Sequence, residues 1–518
     1  MRHLHTPMKL AVIADTHLPN CEGSAQETAL RWGIAACARE HVDLIAYAGD
    51  LTAAGDADAG RRVLEVIATA PLPRVLTPGN SDLRTASCAC ELRRQLAQPA
   101  LLRADGLCVV CLDTADGTVP AAERARFEAL LATTAGSPVV VITHWTPLEL
   151  PAGDRAWLTA LARTARVVLI IAGHKHFDAE GALDGVPVHL VRGLDPDKAK
   201  SAPPAVCVFT RKDDGWTRRD LPFAPGDPRT WPPERRREFL ASLGVSAMTR
   251  TLADTLAAAE AQAPCLELRA SGALAADPDV LRAAVARWRA AGGRVLSLHL
   301  PDLRWDAGSA AVTGGDTFAA AVRLALSLPV DQVTVHVPRG PVGLLQPQGA
   351  PRRQCLEAFC TGVAPLLAAG VTVGVENLHM TRGESDDARR GFGYLPAECL
   401  DWIDEVQTRL QPAAGAIGLT LDIGHARNNG HLSQAWTLGR WYAAVGDRVV
   451  GYHLHQVTAK GNHQPFGSPF GPLLSLASLF WAWQTGQLRP APMFLEIREH
   501  SAVESLNALR SFLDSGAP

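Results

Sequence analysis

Asp15 and His17 stand one residue apart and open a series of polar groups that returns along the first third of the chain. Gly49-Asp50, Gly79-Asn80-Ser81-Asp82, His144 and Gly173-His174-Lys175-His176 follow in that order. Each lies at the end of a short apolar run. The carboxylates of Asp15 and Asp50, one amide and four imidazoles suit a pair of borderline divalent ions such as Mn, Fe, Zn or Ni. In D-x-H and H-x-H, an extended segment leaves both ligands on one side. The glycine before Asp50, Asn80 and His174 lets the backbone turn sharply and approach a metal closely. Asp50 is expected to bridge the two ions, because one carboxylate can lend an oxygen to each.

A second series occupies the latter half: His299, His336, Glu376, Asp422 with His425, His453 with His455, Asn462-His463, and Glu496. Three carboxylates and several imidazoles directed into one place are costly unless metals or substrate bind them. A second metal centre is the expectation, with His455 either contacting substrate or supporting its neighbours.

These groups must be carried by elements. Residues 8–210 alternate β-rich apolar runs (KLAVIAD, LIAYAGD, RVLTPGN, LCVVCLD, PVVVITH, VVLIIAGH) with helical stretches, which is an α/β pattern. Loops at the carboxyl edge of such a sheet converge on one crevice. Residues 223–238, rich in Pro, Arg and Asp, read as a linker between a domain at 1–222 and another at 239–518. The second domain holds eight candidate strands, namely FLASLGVSA, CLELRA, RVLSLHLP, QVTVHVP, VTVGVEN, GLTLDIGH, VVGYHLH and MFLEIRE. Eight β/α units in such a span are what a (β/α)8 TIM barrel needs, and active sites lie at the C-terminal ends of its strands.

Composition narrows the functions. A chain of 518 residues exceeds one ordinary core, and its net charge of −3 lacks the basic excess of a protein built to coat nucleic acid. No apolar run is long enough for a membrane span, and MRHLHTPMKLAVIADTH lacks the apolar segment of a signal peptide, so a cytoplasmic location is expected. Eleven cysteines, mostly in apolar settings, fit reduced core thiols, and the Cys108/Cys111 pair within a strand-like run is read the same way. His3, His5 and His41 are read as solvated or capping residues.

The N-terminal motifs, D-x-H, G-D, G-N-x-D, H and G-H-x-H in this order, resemble the calcineurin-like metallophosphoesterase family. The resemblance implies an α/β sandwich with one metal on Asp15, His17, Asp50 and His176. It implies another metal on Asp50, Asn80, His144 and His174, with Asp82 orienting the site from behind. It also implies in-line attack on a phosphate ester while both ions neutralise the developing charge. Many phosphodiesterases of that family carry His after the Asn, as the acid for the leaving group. Here the residue is Ser81, which leaves His144 or another group for that role, or a substrate whose leaving group is already good.

SLHLP, VTVHVP, GVENL, LDIGHA, HLHQ, NHQPFG and FLEI resemble the xylose-isomerase-like barrels, which include sugar-phosphate isomerases and epimerases and the AP endonuclease family 2. By that resemblance Glu376, Asp422, His453 and Glu496 are shared metal ligands. His299, His336, His425 and His463 match further ligands of the endonuclease branch, with Asn462 in place of an Asp. One to three Zn or Mn ions are implied. Glu376, His425 and Glu496 would take part in catalysis, as would Asp50, His144 and Asp82 in the first domain. The expected whole is a two-domain metal-dependent hydrolase of phosphate esters, small and sugar- or nucleotide-like or part of a nucleic acid. The alternative is a phosphatase fused to a sugar-phosphate isomerase or epimerase.

Overall fold

A computed structural model describes residues 7–96, 101–104, 106–212, 215–247, 263–381, 384, 389–413, 415–498 and 501–515. His3 and His5 lie outside the described residues. The chain divides into two compact units, Met1–Asp227 with Ser475–Leu479, and Pro228–Leu474 with Phe480–Pro518.

The first unit is built on eleven strands: β1 Lys9–Ile13, β2 Leu44–Ala48, β3 Arg74–Thr77, β4 Leu101–Ala104, β5 Leu107–Cys111, β6 Val139–Thr143, β7 Val167–Ala172, β8 Ala179–Leu183, β9 Val186–Leu190, β10 Ala205–Lys212 and β11 Gly215–Pro222. They form a five-stranded sheet, β11-β10-β1-β2-β3, and a six-stranded one, β4-β5-β6-β7-β9-β8. All six runs expected from sequence are strands. Their parallel pairings, β1 with β2, β2 with β3, β5 with β6 and β6 with β7, bring the motif-bearing ends to a common edge of each sheet. Alternation along the strands then assembles the core. Leu10 and Val12 of β1 pack with Val109 and Cys111 of β5 and with Val140 and Ile142 of β6 between the sheets. Cys108, Val110 and Val141 face the other way, onto Phe127 and Leu158 of two covering helices. Cys108 and Cys111 therefore enter different layers and form no pair.

In the second unit the eight expected runs supply all eight strands of a closed, parallel barrel: Leu243–Ala247, Cys265–Arg269, Val295–His299, Gln332–His336, Thr372–Glu376, Ile417–Asp422, Val449–Leu454 and Met493–Ile497. Every strand end that carries a ligand-type residue is thus brought to one rim.

The segment 223–238 is not the irregular linker its composition suggests. It contains two 3-10 turns and most of a helix, Pro233–Ser242, which takes up the first part of the run expected as the opening strand. Pro at the first helical position pre-sets the backbone. The helix is held by a few aromatic residues rather than by a periodic apolar face: buried Trp231 stacks on Trp483 at 5.6 Å, and Phe239 meets both edge-on.

Candidate metal centres

Asp15, His17, Asp50 and His176 place one ligand atom each within 4.8 Å of one another, and so do Asp50, His144 and His174. Asp50 belongs to both groups. Its Oδ2 faces His17 Nε2 at 3.1 Å, and its Oδ1 faces His144 Nε2 at 3.4 Å. Asn80 joins the second group, with Oδ1 3.2 Å from His144 Nε2. Backbone bonds tie the motif loops together: Asp15 N–H donates to Gly49 O, and His17 N–H to Asp50 O, both at 2.9 Å. Gly79 is required by space, since a Cβ there would lie 2.2 Å from Asp50 N. Asp15, His17, Asp50, His174 and His176 all adopt positive φ, between 43° and 74°, an uncommon backbone state for such residues.

Burial shapes the protonation of this cluster. It pushes Asp15 up to about 8, with the Asp50 charge adding to the effect although His144 opposes it. Asp50 is buried too, yet the charge of His144 and the hydrogen bond from His17 hold it well below the usual carboxylate range. Burial lowers His17 to about 4 and His174 to about 4, so both keep the neutral form that a metal requires. Among the described residues the buried Nδ1 atoms of His174 and His176 have no hydrogen-bond partner. Neutral imidazoles with unengaged nitrogens around a shared carboxylate are a donor set fitted to divalent cations.

The supporting residues divide the work. His144 Nδ1–H donates to Ala48 O at 2.9 Å, which leaves Nε2 for the centre. Asp82 lies behind the site, where it accepts from the backbones of Leu51, Thr52 and Gly79 and from the Thr52 hydroxyl. Ser81 is fully buried and donates its hydroxyl to Thr52 O at 2.6 Å, so it offers no proton to a leaving group. Asp195 was not singled out from sequence. Its carboxylate faces His17 Nδ1 at 3.3 Å and is held by Gln26.

In the barrel, Glu376 is the hub. Its Oε2 meets His299 Nε2 at 3.0 Å and His336 Nε2 at 3.2 Å, and its Oε1 meets His453 Nδ1 at 3.1 Å. The far nitrogens are anchored: His299 Nδ1 to Leu300 O at 3.0 Å, and His336 Nδ1 to Asp302 at 2.6 Å. Glu496 reaches His453 Nδ1 at 3.3 Å and also contacts Arg269. Asp422 reaches His425 at 3.2 Å and is clamped through its backbone by Asn377.

His425 and His463 supply the test of fit. His425 Nδ1–H is directed to Asn377 O and His463 Nδ1–H to Glu496 O, so the two Nε2 lone pairs face each other at 3.4 Å. Burial holds both rings well below the usual histidine range, with the charges of neighbouring histidines adding to it. Two neutral imidazoles in that pose repel unless a cation lies between them.

His455 is near both, but its Nδ1 accepts His463 N–H at 2.9 Å. Its proton must then sit on Nε2, which donates to Asp422. His455 orients a carboxylate. Asn462, which stands in place of an Asp, gives its side-chain oxygen to Asn428 at 2.6 Å, while His463, with a left-handed backbone at φ 58°, turns its ring toward His425.

Glu267, absent from the sequence-derived set, is fully buried within the barrel. It accepts from Ser246, Ser297 and Thr334 at 2.7–3.0 Å and contacts His453 Nε2 at 2.9 Å. The available signal was a charge inside the apolar strand CLELR.

Residues 8–178 match the family model of calcineurin-like phosphoesterases. A probable cyclic nucleotide phosphodiesterase of Rhodopseudomonas palustris is 26% identical over 215 residues, which span 36% of this chain and 78% of that protein. Among solved structures, an AP endonuclease of family 2 from Brucella melitensis aligns with 52% of this chain and 98% of its own, at 18% identity and a TM-score of 0.36. A D-tagatose 3-epimerase-like protein aligns with 53% of this chain and 97% of its own, at 17% identity and a TM-score of 0.39. The N-terminal unit is a metallophosphoesterase domain, of a family that implies bound divalent metals. It is joined in one chain to a closed eight-stranded TIM barrel. Among the described residues no helix is long and apolar enough to cross a membrane.

Proposed function

We propose that this protein is a two-centre metal-dependent hydrolase of phosphate esters whose N-terminal unit is a dinuclear phosphodiesterase. The carrying observation is that Asp50 is common to both ligand groups. Asp15, His17, Asp50 and His176 would hold one ion, and Asp50, Asn80, His144 and His174 the other. When bound, the pair supplies Lewis acidity toward the phosphate and neutralises developing charge. His144 presents Nε2 because Ala48 O fixes its other nitrogen. Asp82 holds the loops that carry Asp50 and Asn80. With Ser81 buried, no side chain at the family's acid position delivers a proton, so substrates with good leaving groups are favoured.

For the barrel we assign Glu376, Asp422, His453 and Glu496 as ligands, with His299, His336, His425 and His463 completing a centre for more than one Zn or Mn ion. The facing lone pairs of His425 and His463 support this over a single-ion site. Such a centre suits hydrolysis of a phosphodiester. A sugar-phosphate isomerase or epimerase is the second reading, favoured by Glu376 and Glu496 converging on one nitrogen of His453. The free state of all eleven cysteines fits a reducing compartment such as the cytoplasm.

The full-length protein, loaded with Mn or Zn, tests both assignments. Bis(p-nitrophenyl) phosphate reports on the first centre, and a duplex carrying one abasic site reports on the second. Loss of diester hydrolysis in Asp50→Asn and loss of strand cleavage in Glu376→Gln are expected. Wild-type diester hydrolysis by Asp50→Asn overturns the dinuclear mechanism. Interconversion of an aldose and a ketose phosphate without strand cleavage transfers the barrel to the second reading.

A further inference from the structure

Beside the His336 end of the barrel rim lies a cavity of about 270 Å³, lined in part by Arg304, Arg339, Arg389, Thr381, Phe392 and Tyr394. We propose that it binds the phosphate group of a small phosphomonoester.

The backbone brings two of the cations together. Arg304 and Arg339 are direct partners in a parallel β-bridge, with Arg339 N–H donating to Leu303 O at 2.8 Å and Trp305 N–H to Arg339 O at 2.9 Å. Like charges at paired positions repel, and the arrangement persists at a cost unless anions compensate it. Arg339 has such an anion in Asp302, which it contacts through Nε. Arg304 is exposed, and none of the described carboxylates or carbonyls accepts from its guanidinium. Among the described residues of the cavity wall Glu384 is the one carboxylate, and it is engaged elsewhere. It accepts from the amide and hydroxyl of Thr381 at 2.7 Å each and from the Tyr394 hydroxyl at 3.0 Å.

Guanidinium forks match the oxygens of a phosphate in pairs, and a terminal dianion uses more than one fork. The cavity falls just below the range that holds a drug-sized ligand, so it admits a phosphate with a short carbon skeleton against Phe392 and Tyr394, not a duplex. Asp302 links this cavity to the metal cluster, since its other oxygen holds His336 Nδ1 at 2.6 Å. A phosphate held here leaves the remainder of its molecule beside the His336 ligand. As a substrate subsite the cavity rests on the second barrel reading above, the sugar-phosphate isomerase or epimerase. As an anion site it stands on the arginine pair alone.

The test uses the full-length protein, stripped of metal with a chelator and shown by circular dichroism to remain folded. Inorganic phosphate is titrated by calorimetry at low ionic strength into wild type and Arg304→Glu. Exposed Arg304 makes no packing contribution that would unfold the variant. A saturable site weakened at least ten-fold by Arg304→Glu, with ribose 5-phosphate competing for it, supports the proposal. Equal phosphate affinity in the two proteins overturns it, as does displacement of phosphate by a duplex oligonucleotide lacking terminal phosphates. Elemental analysis of the same samples after reloading separates the two readings. Arginine-dependent phosphate binding in a protein whose barrel takes up no metal keeps the anion site and removes the barrel assignment.

Discussion

Asp50 belongs to both ligand groups, so on the proposed function more of the N-terminal chemistry depends on it than on any other side chain. Asp50→Asn is expected to lower diester hydrolysis by at least ~1,000-fold, about 4 kcal/mol of lost transition-state stabilisation, while the circular dichroism spectrum is unchanged. Asp15 predicts a pH effect. In the metal-free protein it binds its proton up to about 8, and a metal needs the carboxylate form. Below that pH a proton must be displaced, so manganese affinity should rise as pH climbs through about 8 and uptake should release protons. Calorimetry in buffers of different ionisation enthalpy measures both. Ser81 makes a different case. With its hydroxyl bonded to Thr52 O, Ser81→Ala should cost ~1 kcal/mol of stability and leave the dependence of rate on leaving-group pKa unaltered. A steeper dependence in the variant would show that Ser81 assists departure of the leaving group after all.

Strand ends and the turns behind them decide where these residues sit. Glu267 sits inside the barrel and ties together three hydroxyls and one imidazole drawn from four other strands. Its charge is compensated there, since His453 and the hydrogen bonds outweigh burial and hold it well below the usual range. Glu267→Ala leaves His453 Nε2 and three hydroxyls without their buried acceptor, although Glu376 and Glu496 still face His453 Nδ1, and removing one partner of a buried pair costs about 3–5 kcal/mol. A fall in the melting temperature of the full-length protein is the expected result. Gly79→Ala acts at a turn: its Cβ would collide with the Asp50 amide and carboxylate, so metal content measured by elemental analysis should fall although no ligand is changed. Elements of this kind were unevenly legible. Most barrel strands announced themselves as apolar runs ending at or near a polar group, whereas the opening run FLASLGVSA is helix in its first part. Glu267 did not, because its partners come from other strands and only closure of the barrel assembles them. Asp195 was hidden for the same reason, lying in the loop after β9 and meeting His17 only in three dimensions.

On the proposed function the two units of the whole chain carry separate centres, and their contributions should add. Asp50→Asn and Glu376→Gln are each expected to reduce metal content by the share of their own centre, and the double variant by the sum. A double variant that loses more than the sum would show coupling. Sequence conveyed the division into two folds through its change of rhythm, but it misread 223–238. Composition speaks of flexibility there, whereas Trp231 and Phe239 bury themselves and order the segment. The uncommon backbone state of Asp15, His17, Asp50, His174 and His176 has a consequence on an evolutionary scale. Each such residue costs on the order of 1 kcal/mol or more, a cost glycine largely avoids and asparagine reduces. A lineage that no longer needed the chemistry would become sturdier by letting these positions drift to glycine or asparagine. Their retention as aspartate and histidine would then mark descendants still under selection for activity, even where the rest of the chain had diverged.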